Sequence, residues 1–103
     1  MGTEINTLLD AVKLSLRIST AAFDAELEEL IGACRLDLKM KGVRNIDDNE
    51  NLTRQAVKLY CRANFANGDT KERELYADRY EKLAAAMSLC AFYNGGEAAD
   101  NGA

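Results

Sequence analysis

The chain has 103 residues, 48% apolar and 29% charged, the length of one domain and an ordinary globular composition. It contains no histidine, proline or tryptophan, which removes imidazole bases, Ser–His and Cys–His pairs and the common histidine zinc sites and favours continuous helix over a turn-rich β-sandwich. Thirteen basic residues against 17 acidic ones give a net charge of −4, and taking away the two acids of the last residues, Glu97 and Asp100, leaves −2, the wrong sign for a protein that grips phosphate backbones.

A chain of this length hides roughly two-thirds of its unfolded surface, enough for a thin core. Cys34, Cys61 and Cys90 are odd in number and far apart, with no C-x-x-C pair. They are expected as reduced, buried core residues, and no metal or cofactor is expected. No basic leader with an apolar run opens the chain, and no run approaches the ~20 residues that cross a bilayer. A soluble intracellular protein without a membrane partner is the expectation.

Four segments carry helical periodicity and none alternates with period two. The first spans about Glu4 to Leu16, with Ile5, Leu8, Leu9, Val12 and Leu16 on one stripe and Thr3 as cap. The joint Arg17-Ile18-Ser19-Thr20 ends it. The second begins between Ala21 and Asp24 and runs to Lys41, with Phe23, Leu27, Leu30, Ile31, Cys34 and Leu38 inward. Acids crowd its first turns, Lys39 and Lys41 close its last, and Gly42 follows as the C-terminal stop. After the polar stretch Val43 to Asn49, with Asp48 or Asn49 as cap, the third helix spans about Glu50 to Ala66. Its expected inward row is Leu52, Ala56, Leu59, Tyr60 and Ala63, and Asn67-Gly68 is its stop. The fourth starts at Asp69 in a capping-box pattern and continues to Asn94, with Tyr76, Tyr80, Leu83, Met87 and Cys90 inward. The fold expected is all-α: four amphipathic helices in one small bundle over residues 1–94, followed by a flexible acidic tail over 95–103.

Two apolar faces exceed what one small core needs. Helix two carries a second stripe opposite the first, Gly32, Ala33, Leu36 and Met40. The end of helix four is apolar nearly all round, from Met87 to Tyr93. Surplus apolar faces point to a partner, and Leu36, Met40, Leu89, Phe92 and Tyr93 are the candidate interface residues.

Chemistry finds little support. Asp47, Asn49 and Asn51 match the first ligand positions of a calcium loop, but Leu52 stands at its turn glycine and Lys58 at its bidentate acid. The pairs Glu26/Glu29 and Asp78/Glu81 resemble the magnesium-holding carboxylates of all-helical nucleotide pyrophosphohydrolases, yet solvated ion-pairing faces explain them as well. Arg54, Lys58 and Arg62 make one modest basic stripe on helix three, thin for a DNA-recognition helix. No phosphate-cradling glycine loop and no nucleophile with its base is present, so no enzyme is expected.

The order of motifs goes further. Leu14-Ser15-Leu16-Arg17-Ile18, then Phe23-Asp24-Ala25-Glu26-Leu27-Glu28-Glu29-Leu30-Ile31-Gly32-Ala33-Cys34 closing at Gly42-Val43, resembles the opening of the tailed-phage head–tail connector family. Arg54 to Gly68, containing Ala56-Val57-Lys58-Leu59-Tyr60 and Ala63-Asn64-Phe65, resembles the family's next helix, and Tyr76, Tyr80 and Leu83 fit its last one. The entry Asn49-Glu50-Asn51 departs from the acidic-proline or acidic-aspartate start common there. The resemblance, over about residues 5 to 93, implies a structural protein of a phage or prophage without catalysis or cofactor. It implies a homo-oligomeric ring, twelvefold on the portal protein, that extends the DNA exit channel and receives downstream neck and tail proteins. DNA would pass through without specific binding. The implied location is the virion neck, and the bacterial cytoplasm during assembly. The rival readings are a small helical regulatory or nucleic-acid-binding protein, which heparin would retain, and, behind it, the pyrophosphohydrolase.

Overall fold

In the computed structural model residues 7–65 and 69–95 are described, and among them there are helices and no strand. Helix α1 is Leu8–Leu16, α2 Asp24–Met40 after a 3-10 turn Ala21–Phe23, α3 Asn51–Asn64, α4 Thr70–Ser88 and α5 Ala91–Asn94. Thr7 caps α1, its Oγ1 accepting from Asp10 N at 3.0 Å; the expected cap Thr3 and the apolar Ile5 lie outside the described residues. The expected stop Asn67-Gly68 and the expected tail from residue 96 on lie outside them too.

Two helix ends are closed by the same device. At α2, Val43 N donates to Leu38 O at 2.8 Å and Gly42 N to Lys39 O at 3.0 Å, with Gly42 at φ +104. At α1, Ile18 N donates to Lys13 O at 2.9 Å and Arg17 N to Leu14 O at 3.1 Å, but the left-handed position is held by Arg17 at φ 62. A side chain in that conformation costs about 1–2 kcal/mol against glycine.

Helix α3 is the central element, packing on α1, α2 and α4. A helix enclosed on three sides needs small inward residues for close approach, and those buried on α3 are Thr53, Ala56, Val57 and Cys61. This corrects the row expected from apolar periodicity. Leu52 is turned out at 39% exposure, Leu59, Tyr60 and Ala63 are only half-buried, and Thr53 lies wholly inside. Thr53 tolerates burial because its Oγ1 donates to Glu50 Oε1 at 3.2 Å, the oxygen that also accepts from Thr53 N at 2.9 Å. Glu50, rather than Asp48 or Asn49, therefore caps α3. The helix stops at Asn64, and Phe65 is extended and buried, meeting Phe23 edge-on at 5.4 Å.

Leu27, Ile31, Cys34 and Leu38 of α2 are buried as their spacing predicts, while Leu30 is half-buried and Phe23 40% exposed. Burying each of the large aliphatic side chains is worth about 1.5–3 kcal/mol. Asp69 makes no capping bond from its side chain. Helix four is not continuous to Asn94. Its last turn tightens, with Leu89 N donating to Ala86 O at 3.2 Å and Cys90 N to Met87 O at 3.1 Å, Cys90 is extended, and α5 starts afresh. Ser88 promotes the break: its hydroxyl donates back to Ala85 O at 2.7 Å, while its own carbonyl accepts from Asn94 Nδ2 at 2.9 Å. The bend turns Met87 and Tyr93 inward and leaves Cys90 exposed, against the expectation that all three cysteines are buried.

Candidate interaction surface

Of the five residues expected at an interface, four lie on the surface. Leu36 is 60% exposed, Met40 76%, Leu89 84% and Phe92 51%. Leu36 and Met40 project from α2 opposite the stripe packed on α3, and their neighbours Gly32 and Ala33 are exposed as well. The fifth, Tyr93, is a core residue at 8% exposure. Its hydroxyl donates to Glu50 Oε2 at 2.7 Å, and its carbonyl accepts from Arg44 N at 2.7 Å and Asn45 N at 2.9 Å. Tyr93 thus fastens α5 to the α2–α3 connection and leaves Leu89 and Phe92 to face outward. Burial and the bond to Glu50 raise the Tyr93 hydroxyl to about 12.

The fold brings the two surplus apolar faces to the same end of the molecule. The C-terminus of α2 meets that of α4, so that a Cβ added to Gly42 would lie 3.7 Å from Ser88 Cβ. Met40 is two residues before Gly42, and Leu89 directly follows Ser88. Beneath this end a polar cluster joins the helices, running from the buried Tyr80 through the half-buried Asp37 and Lys41 to the exposed Glu81. Tyr80 OH donates to Asp37 Oδ2 at 2.6 Å, and Lys41 Nζ lies 3.0 Å from Asp37 Oδ2 and 3.2 Å from Glu81 Oε1. Partial burial works against the Asp37 carboxylate, but the hydrogen bonds from Tyr80 and Lys41 outweigh it and hold its pKa below the ordinary value. Burial pushes the Cys34 and Cys61 thiols up to about 12, so at neutral pH neither is a thiolate nucleophile.

The residues considered for chemistry are scattered. Glu26 and Glu29 stand exposed on α2 without an ion pair among the described residues, Asp78 pairs with Lys82 at 3.1 Å, and Glu81 with Lys41. In the connection, Asp47 Oδ1 accepts from Asn49 N at 2.9 Å and Asp48 is held by Arg35. No group of three or more potential metal-binding side chains occurs among the described residues. The basic stripe of α3 is divided. Arg54 reaches Asp48 O at 3.4 Å, whereas Arg62 stacks on Tyr76, 4.3 Å from the ring centroid, and donates to its hydroxyl at 2.7 Å.

Residues 8–93, the span that holds the four long helices and most of α5, are matched by the family described as phage connector protein. The chain belongs to that family. No curated protein and no solved structure matches the connector. The family is structural, in keeping with a surface of exposed apolar residues, and none of the connector's helices, among the described residues, is long and apolar enough to cross a membrane.

Sequence reasoning missed a polar cavity of about 190 Å³ between the end of α1, the C-terminal half of α3 and the start of α4, lined by Arg17, Arg62 and Arg73 together with Ser15, Glu72 and Tyr76. The arginines lie on three different elements, so no local motif announces them; only the non-glycine stop at Arg17 was a signal.

Proposed function

We propose that this connector assembles as a homo-oligomeric ring, twelvefold on the portal, extending the DNA exit channel and receiving neck and tail proteins at the virion neck. The observation that carries the reading is the family match over residues 8–93. Large exposed apolar side chains that the chain's own core leaves uncovered, Leu36, Met40, Leu89 and Phe92, support it. A ring is built by head-to-tail contacts that join two different patches per subunit. These four residues, clustered toward one end, supply one such patch. The net charge of −4 suits a channel through which DNA slides without being held.

The test is cosedimentation of the purified connector with portal rings from the same phage or prophage genome, followed by imaging. A closed additional ring on one end of the portal is expected. Leu36→Asp, which charges an exposed position and leaves the core untouched, is expected to abolish the added ring without lowering the thermal midpoint. Failure of the wild-type chain to sediment with the portal at any ratio would count against the reading.

A further inference from the structure

The three-arginine cavity is unexplained by the fold. Arg17 and Arg73 make no ion pair among the described residues, and Glu72, the one acid in the lining, pairs with neither. Arg73 Nε is shielded from solvent with no hydrogen-bond acceptor in reach. Arg62 is fixed by stacking on Tyr76. Three arginines thus line one pocket with Glu72 as the single acid in its lining. The orphaned donor of Arg73 and the left-handed backbone at Arg17 both raise the energy of the isolated chain. An arriving carboxylate would reverse these costs, because it accepts two parallel bonds from one guanidinium fork. Beside the cavity Leu14 is 78% exposed and, with Arg17, Ile18 and Ser19, forms a shallower apolar step.

The matching chemistry stands on another face of the same chain. On the outer side of α2, in successive turns, come Glu26 and Glu29, the small Gly32 and Ala33, then Leu36, all exposed, and the two acids have no ion pair among the described residues. Helix α2 contributes nothing to the arginine cavity, whose walls are α1, α3 and α4. An acid, then a small residue that lets helices approach, then a leucine complements an arginine pocket beside an exposed leucine. We propose that the Arg17–Arg62–Arg73 pocket is a carboxylate-binding site that receives Glu26 and Glu29 of a second copy of the chain, with Leu36 of that copy against Leu14. This rests on the ring reading and supplies the second of its two patches. A polyanion is the poorer occupant: three arginines in one recess, beside Glu72 and on an acidic chain, lack the extended basic track that phosphate backbones require.

The experiment is light scattering after size exclusion over a range of protein and salt concentrations, on the wild type, Arg73→Glu, Glu29→Arg and Arg17→Gly. Wild type is expected to associate, less so at high salt. Either charge reversal is expected to raise the concentration for half-association by about tenfold or more, as for close interfacial charge pairs. Mixing Arg73→Glu with Glu29→Arg is expected to restore association, which misfolding of either variant would not allow. Arg17→Gly is expected to raise the thermal midpoint by removing the left-handed side chain while weakening association. If wild type associates and every variant associates equally, the pocket assignment falls and the ring reading stands. A wild type that is monomeric throughout overturns the pocket as a contact between copies, while the ring reading is decided separately by the cosedimentation with portal rings. Weakened binding of Arg73→Glu to immobilised heparin, with self-association unchanged, would assign the pocket to phosphate and overturn the proposal.

Discussion

Two tyrosine–carboxylate pairs hold this molecule together, and they do different work. Tyr80 sits in the middle of a 19-residue helix, 3% exposed, with its hydroxyl on Asp37, Cys34 Sγ at 3.9 Å and the Tyr60 ring edge-on at 5.1 Å. Tyr93 sits on a four-residue helix, bonded to Glu50 and to the backbone of residues 44 and 45, and its ring neighbour Phe92 is half-exposed. A four-residue helix has no stability of its own, so α5 stays in place through the Tyr93 clasp, whereas α4 stays through its whole packed face on α3. The same chemical pair is a core joint in one place and a latch on a small, exposed, interface-bearing element in the other.

The largest effect that would sharpen this contrast is Tyr80→Ala, expected to cost about 3–5 kcal/mol, the range for emptying a buried aromatic site, and to lower the denaturation midpoint for the whole chain. A loss no greater than that of Tyr93→Ala would break the comparison. Tyr80→Phe keeps the ring and removes the donor to a charged acceptor, so about 1.5–3 kcal/mol is expected, again as a global loss in urea unfolding. Tyr93→Phe also removes a donor to a carboxylate, and on the small, more exposed α5 it is expected to cost about 1.5 kcal/mol, the low end of the same range. Its signature is local: faster amide exchange at Arg44 and Asn45, whose N–H groups bond Tyr93 O, while amides of α3 keep their protection.

Acid titration probes both pairs at once. Glu50, like Asp37, is held below its ordinary pKa: burial opposes this, but the hydroxyl of Tyr93 and bonds from the start of α3 prevail. Groups with depressed folded pKa values stabilise the protein above their unfolded values, near 4, and lose that contribution as pH falls through the folded ones. Thermal midpoints are expected to fall below about pH 4, less steeply in Tyr80→Phe. Tyr93 has the opposite sign: its raised value stabilises below about pH 10, its unfolded pKa, and that contribution is lost as pH climbs toward 12. Tyr93→Phe is expected to flatten this alkaline limb.

The amphipathic stripe of α2, the glycine that ends it, the all-helical class and the exposed second stripe at Leu36 and Met40 were all legible in the sequence, because each depends on residues within a few turns of one another. So were the motifs that resemble the connector family, which are such stripes in order. Tertiary packing alone decided the rest. The inward face of α3 follows from its central position, where Thr53, Ala56, Val57 and Cys61 fit and larger apolar residues do not; periodicity weighs hydrophobicity and cannot see that three neighbours demand small side chains. Tyr93 changed from surface to core because Glu50, 43 residues away, offered its hydroxyl an acceptor. Arg17, Arg62 and Arg73, on three elements of the chain, form one pocket only after α1, α3 and α4 have packed, since local order in a sequence fixes helices and their faces but not which faces meet.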